Sequence, residues 1–201
     1  ISGIEKVLIN THHLSSQVEE FLLKSVYKNK IVISYEKNLL GTGGTLLQNK
    51  TFFDNEDFIV AHSDNLCICN FKDFIESHLE RPVGTLMTMM TFLTNTPKSC
   101  GIVELDKKKI VRKFDEKICN PPSNLANAAV YIFSSQIFNH IEQNSIKLND
   151  ISLDLIPTLM NKIFTWHNDI YNKDIGTLKS LEESRNDISK FNNFINKNIY
   201  K

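Results

Sequence analysis

Between Val7 and Leu79, short apolar runs alternate with stretches of helical spacing, and this alternation restricts the fold more than any other feature of the chain. Val7-Leu8-Ile9 predicts a buried strand. Leu14, Val18, Phe21, Leu22 and Val26 then recur at helical spacing, with Ser15 or Ser16 able to cap the start. Ile31–Tyr35 is β-branched and predicts a second strand. Gly41-Thr42-Gly43-Gly44 breaks the chain before a helix beginning at Thr45. Phe58–Ala61 predicts another buried strand and Phe71–Leu79 another helix. Strands alternating with helices imply βαβ units and a largely parallel sheet covered on both faces.

After Leu79 the rhythm changes. Residues 85–92, 102–105, 110–114 and 128–133 are strand-like, and Lys107-Lys108-Lys109 forms a polar turn that joins two of them in a hairpin. Residues 136–141 and 153–160 predict short helices and Ile163–His167 a strand. A long helix is expected from Thr177, with Thr177 as its N-cap and Leu178, Leu181, Ile188, Phe191 and Ile195 near one stripe, a candidate homo-oligomer interface. The Asn- and Lys-rich tail after Asn192 is expected to fray. The expected fold is therefore α/β, a Rossmann-like open mixed sheet with helices on both faces, in one domain spanning residues 1–201.

Composition narrows the function. Lys+Arg and Asp+Glu are both 23, so no sequence-wide basic field attracts nucleic acid. No apolar stretch approaches the ~20 residues of a membrane span. Glu5 and Lys6 interrupt the only place for a signal-peptide core, so a cytoplasmic setting with free thiols is expected for the four cysteines. Cys67 and Cys69 lack the spacing of a structural zinc site. Met87, Met89 and Met90 predict core filler.

Three segments carry candidate chemistry. The glycines of 41–44 let a backbone approach a ligand closely, or simply make a tight turn. They match neither the Walker A loop nor the dinucleotide fingerprint. Asp64 ends an apolar strand, where open α/β sheets bind ligands. It suits Mg²⁺, which takes one or two carboxylates plus substrate phosphates, or it caps a helix. Asp174, just before the last helix, is the natural second carboxylate. Phe114-Asp115-Glu116-Lys117 sets acid beside base after a strand, either as a sugar and phosphate contact or as a solvated turn.

Taken in order, these pieces resemble the sugar-1-phosphate nucleotidyltransferases, close to the mannose-1-phosphate and heptose-1-phosphate guanylyltransferases. Gly3-Ile4-Glu5-Lys6-Val7 resembles the family's second strand, and Leu40-Gly41-Thr42-Gly43-Gly44 its nucleobase-side loop. His62-Ser63-Asp64 is similar to the Gly-Asp metal position, and Cys100-Gly101-Ile102-Val103 to the strand lining the sugar pocket. Phe114-Asp115-Glu116-Lys117 is similar to the Glu-Lys-Pro motif, with Ile118 in place of Pro. The run from Asn127 to Phe133 is similar to Asn-Ala-Gly-Ile-Tyr, with Ala129 in place of Gly. Asp174-Ile175-Gly176-Thr177 is similar to the Asp-Ile-Gly-Thr motif.

The resemblance implies transfer of a nucleotidyl group from a nucleoside triphosphate, GTP by this likeness, to a mannose- or heptose-type sugar-1-phosphate. It implies Mg²⁺ on Asp64 and Asp174, with Asp64 and Lys117 as the catalytic residues and Lys117 steadying the sugar phosphate. Gly101, Glu116 and Asn127 would hold the sugar. Gly41, Thr42, Gly43 and Gly44 would lie along the base. The family's opening Gly-rich loop and first βα unit have no counterpart in residues 1–201, so the chain is expected to be N-terminally incomplete and inactive by itself. The alternatives are a non-catalytic relative that binds nucleotide sugars and a metal-dependent glycosyltransferase.

Overall fold

A computed structural model describes residues 3–53 and 55–199. The strands are β1 (Val7–Thr11), β2 (Ile31–Tyr35), β3 (Phe58–Ala61), β4 (Asn65–Ile68), β5 (Met87–Leu93), β6 (Gly101–Leu105), β7 (Val111–Glu116), β8 (Leu125–Phe133), β9 (Ile163–His167) and β10 (Tyr171–Asp174). The helices are α1 (Ser15–Leu23), α2 (Gly41–Gln48), α3 (Phe71–Leu79), α4 (Ile137–Gln143), α5 (Leu178–Ile188) and α6 (Asn192–Ile199). The central mixed sheet runs β7-β6-β8-β5-β9, and β3 adds to the far end of β8. β1 and β2 form a separate parallel pair, and β4 and β10 a short antiparallel ribbon.

The core lies on the two faces of β8 and β5. On one face Met87, Met89, Tyr131 and Phe133 pack with Ile137, Leu155 and Ile163, and on the other Met90 packs with Phe74 and Val130. All three methionines are fully buried, as core filler should be. The hairpin turn forms as expected. Asp106 Oδ1 accepts from the N–H groups of Lys108 (2.8 Å) and Ile110 (3.0 Å), closing the lysine turn between β6 and β7.

Several expectations are corrected. Neither Ser15 nor Ser16 caps α1. Leu14 takes the cap position with φ 52°, and its carbonyl accepts from Gln17 N–H (2.9 Å). The expected stripe is largely exposed, with Phe21 at 73% and Val26, which lies past the end of α1, at 90%, and Leu22 alone of the helix is buried. β1 is only partly covered, with Val7 exposed and Leu8 and Ile9 half-buried, and among the described residues it pairs only with β2. Residues 153–160 are not one helix. A π-turn over Ile151–Leu155 passes into a 3₁₀ turn over Ile156–Leu159, because Pro157 has no N–H for an α-helical bond. The C-terminal helix breaks at a 3₁₀ turn over Ser189–Phe191 before α6. Its stripe is open at Leu178, and the helix is held by Tyr171, whose hydroxyl donates to Asp187 Oδ2 (3.1 Å) and shares a hydrogen bond with the Ser184 hydroxyl (3.3 Å). Thr177 does cap α5, in a reciprocal box with Ser180. Of the tail expected to fray, residues up to Ile199 are helical, and residues 200–201 lie outside those described.

A bulge in β8 sets up the site. Between the pairs Met89↔Tyr131 and Thr91↔Asn127 the register shifts, and Ala129 sits there at φ 53°. Asn127 Oδ1 accepts Ala129 N–H (2.9 Å), and Ala129 C=O accepts His62 N–H (3.3 Å), which docks the segment after β3 onto the sheet. A left-handed conformation costs an L-residue about 1–2 kcal/mol, and glycine gives back roughly 0.5–1 kcal/mol in chain entropy. Ala129→Gly should therefore stabilise the fold by about 0.5–1 kcal/mol. Urea unfolding would detect this, and a loss of stability would contradict the assignment.

A buried polar brace closes the opposite end. His78 donates to or accepts from Thr88 Oγ1 (2.7 Å) and Asp57 Oδ2 (3.0 Å), and Arg81 also reaches Asp57 (3.1 Å). Burial holds the His78 imidazole below its ordinary value despite the Asp57 carboxylate, and burial followed by Lys162 does the same for His140. Groups that bind fewer protons when folded lose stability as pH falls through their unfolded value of about 6.5. Unfolding midpoints should therefore fall between pH 7 and pH 5.5. A flat or rising profile would contradict this.

Candidate active site

The β4–β10 ribbon brings two distant carboxylates together. Its register pairs Asp174 with Asn65, so Asp64, one residue before β4, lies beside the end of β10. Ile175 N–H donates to Asp64 C=O (2.7 Å), and Gly176 N–H donates to Asp174 Oδ1 (2.7 Å). The two side chains close on one point. A Cβ placed on Gly176 would stand 3.0 Å from Asp174 Oδ1 and 3.8 Å from Asp64 Oδ2. Both aspartates and Gly176 are exposed. A side chain at 176 would occupy the space between the carboxylates, and glycine leaves it open.

A second group forms at the β6–β7 pair. The register sets Glu116 opposite Gly101. A Cβ on Gly101 would stand 2.6 Å from both Glu116 Oε2 and the Phe114 ring, so glycine is what admits the glutamate. Burial raises the Glu116 carboxyl above its ordinary value, Lys117 opposes this, and Asp150 and His62 also act on it. Lys117 Nζ lies 3.6 Å from Glu116 Oε1, with its side chain mostly in solvent and its backbone at φ 50°. His62 thus links the glutamate to the Asp64 strand end. Its Nε2 is buried, with no hydrogen-bond partner among the described residues.

Asn127 is already engaged at both ends of its amide. Its Nδ2 donates to Tyr131 O–H (2.7 Å) while its Oδ1 holds the bulge. Burial pushes the Tyr131 hydroxyl up to about 12, so it stays a neutral partner. The geometry gives Asn127 a bracing position beneath this group.

The glycine segment is not a loop. α2 begins at Gly41, four residues earlier than the sequence predicts. Its glycines pack against a neighbouring chain segment: Gly43 and Gly44 N–H both donate to Asn149 C=O (2.8 and 3.4 Å). A Cβ on Gly41, which has φ 74°, would collide with that same carbonyl. Thr42 Oγ1 donates to Asp150 Oδ2 (3.3 Å) and accepts Ile151 N–H (2.9 Å). The donors at 43 and 44 thus serve internal packing, and Gly41 and Thr42 lie against the same segment, residues 149–151.

Two residues escaped the sequence reading. Glu36, 2% exposed, accepts from Asn10 Nδ2 (3.2 Å), Leu40 N–H (3.2 Å) and the Thr45 hydroxyl, tying the ends of β1 and β2 to α2. It follows a strand end, the same signal that marks Asp64. Asp150 caps the π-turn by accepting from Ser152 (2.7 Å) and Leu153 (3.0 Å) N–H, and it joins the glycine helix to the Glu116 group.

Comparison with known proteins decides the family. The nucleotidyl transferase family model matches residues 1–190. The chain belongs to the nucleotidyl transferase family. Among curated family relatives, a glucose-1-phosphate adenylyltransferase of Clostridium acetobutylicum is 25% identical over 166 residues, covering 78% of this chain and 44% of the relative. A mannose-1-phosphate guanylyltransferase catalytic subunit beta of Drosophila melanogaster is 28% identical over 162 residues, covering 79% and 42%. The chain therefore spans less than half the length of these relatives. The crystal structure of HddC from Yersinia pseudotuberculosis superposes with a TM-score of 0.76 at 21% identity, covering 93% of this chain and 80% of that one. That likeness establishes a nucleotidyl transferase fold. Among the described residues no helix is long and apolar enough to cross a membrane.

Proposed function

We propose that the full-length protein transfers a nucleotidyl group from a nucleoside triphosphate to a sugar-1-phosphate, releasing pyrophosphate. The observation that carries this reading is the convergence of Asp64 and Asp174 on Gly176. Among the described residues no third His, Cys, Asp or Glu joins the two carboxylates. Two carboxylates alone fit a hard cation such as Mg²⁺, which keeps water and takes its remaining oxygens from substrate phosphates. When bound, such an ion would neutralise phosphate charge between donor and acceptor.

The chain's own residues do the rest by positioning and charge. Asp64 and Asp174 are held by the ribbon backbone and need no rearrangement to present their oxygens. Lys117, on an exposed stem, offers a point charge to the sugar phosphate. Glu116, admitted by Gly101, accepts from sugar hydroxyls. Asn127, by bracing the bulge, fixes the segment leading to Asp64. The start of α2 at Gly41 and Thr42 lies on the nucleotide side, with Gly43 and Gly44 holding it against Asn149. These groups bring the sugar phosphate oxygen to the α-phosphorus while pyrophosphate leaves in line.

Guanine and a mannose- or heptose-type sugar are the favoured pair. The support is the Drosophila relative's name and a Yersinia HddC structure complexed with GMP-PN, with a TM-score of 0.75. The adenylyltransferase relative makes ATP with glucose-1-phosphate the competitor. Among the described residues β3 pairs only with β8 and β1 only with β2. The proposal includes a further strand and triphosphate-binding loop supplied from outside residues 1–201. Pyrophosphate release should be measured for four NTPs against mannose-, heptose- and glucose-1-phosphate, with the full-length protein and with residues 1–201. Release by the full-length protein alone, highest with GTP, is expected. Absence of release with every pair would overturn the reading.

Lys117→Met gives a sharper test of the sugar side. It removes a charge-assisted hydrogen bond worth about 1.5–3 kcal/mol, or roughly ten- to over a hundredfold in affinity. Calorimetric titration should show weaker sugar-1-phosphate binding with NTP binding and Tm nearly unchanged. Equal loss for both ligands would make Lys117 structural.

A further inference from the structure

His62 commits its backbone to the fold but not its ring. It directly follows β3, and its N–H donates to Ala129 C=O (3.3 Å), extending the β3–β8 ladder beyond the Ala61↔Val130 pair. Its C=O accepts Asn65 N–H (3.3 Å), closing a turn whose third residue is Asp64. Both backbone groups are therefore used, and the residue is fixed beside the carboxylate.

Strand alternation gives the direction of the side chain. Phe58 and Val60 pack on the face of the sheet that carries Tyr131 and Phe133, and Ile59 packs on the face that carries Val130 and Ile132. His62 continues the series of Phe58 and Val60. Phe114 packs on that face too, and a Cβ on Gly101 would meet both the Phe114 ring and Glu116 Oε2. His62, Glu116 and the Tyr131 hydroxyl held by Asn127 thus share one face of the sheet. On that face Nε2 of His62 is buried and unpartnered among the described residues. Buried polar atoms are seldom left unmatched, and an exception calls for a functional explanation. The residue as a whole is half-buried, and the Cβ–Cγ torsion of an imidazole is broad, so a turn of the ring presents Nε2 to a ligand.

We propose that His62 is a sugar-reading residue whose Nε2 hydrogen-bonds a ring hydroxyl of the bound sugar-1-phosphate. The chemistry of the atom favours a hydroxyl. An imidazole nitrogen donates in one tautomer and accepts in the other, and a hydroxyl can answer either. An ionised Glu116 only accepts, so His62 and Glu116 together can match both the proton and the lone pairs of the sugar hydroxyls. A sugar lacking the matching hydroxyl leaves Nε2 as unpartnered as it is in the free protein, and a site built in this way rejects such a sugar. This assignment rests on the proposed function and names a residue that selects the sugar.

The test pairs a change in the residue with a change in the ligand. Calorimetric binding of mannose-, heptose- and glucose-1-phosphate and of their single-deoxy analogues should be measured for the full-length wild type and for His62→Leu, with NTP binding and Tm recorded for both. His62→Leu should bind the favoured sugar-1-phosphate about five- to a hundredfold more weakly. It should bind one deoxy analogue no more weakly than the wild type does, because that analogue has already lost the contact. NTP binding should be unchanged, and Tm equal or higher, because leucine removes the buried unmatched atom. His62→Gln, which keeps a polar tip, should recover part of the affinity. The same loss on every deoxy analogue, or a lower Tm with loss of both ligands, would overturn the assignment and leave the proposed function standing. A wild type that binds none of the sugar-1-phosphates would overturn both.

Discussion

Asp64→Asn and Asp174→Asn should each lower turnover of the full-length protein by at least about a hundredfold, because losing even an outer partner of a metal ligand costs 10–100-fold. The amide keeps the shape of the carboxylate but carries no charge to set against a cation. Both positions are exposed, and their side chains carry little of the core, so Tm should move little. Added Mg²⁺ should restore part of the activity in either single variant and none in the double variant. If one variant were silent while the other was inactive, the two aspartates would not act as a pair.

Gly41→Ala is expected to be the most damaging single-methyl change in the chain. At φ 74° an L-residue carries about 1–2 kcal/mol of strain. The added Cβ also collides with the Asn149 carbonyl, which already accepts from Gly43 and Gly44 N–H. A backbone oxygen held by two donors cannot step aside as a flexible side chain would. Overpacking of this kind adds roughly 1–3 kcal/mol. The total of about 2–5 kcal/mol should lower Tm by on the order of 10 °C. Gly44→Ala meets only the Leu40 Cβ at 3.0 Å and should be much milder. Equal effects at 41 and 44 would show that the Asn149 contact does not bind α2 to the following segment.

The site was legible where a strong local pattern sets the position of a residue. Asp64 follows an apolar strand, Thr177 opens a helix with a capping hydroxyl, and Lys107-Lys108-Lys109 turns a hairpin, and each stands where its pattern predicts. The ribbon that joins Asp64 to Asp174 was not legible. β4 and β10 have four residues each, and Tyr171-Asn172-Lys173-Asp174 has no apolar alternation, so pairing alone makes it a strand. Gly41-Thr42-Gly43-Gly44 was misread as a break because glycine propensity argues against helix. Here the close approach of Asn149 outweighs propensity, and the glycines start α2. The apolar runs of α1 and β1 misled in the opposite direction. Periodicity reports which face an element can bury, and in residues 1–201 the described neighbours of Phe21, Val26 and Val7 leave that face open. Asn127 matches a motif by sequence, and its amide also braces Tyr131 and the bulge, a role that only the hydrogen bonds reveal.

The central claim is that Asp64 and Asp174 hold one divalent ion between them during nucleotidyl transfer. Anomalous diffraction from crystals of the full-length protein grown with Mn²⁺ and a non-hydrolysable nucleoside triphosphate analogue addresses it most directly. The account predicts one anomalous peak shared by Asp64 and Asp174 carboxylate oxygens and by phosphate oxygens of the analogue, beside Gly176. A peak held by only one aspartate, or one lying away from both, would contradict it.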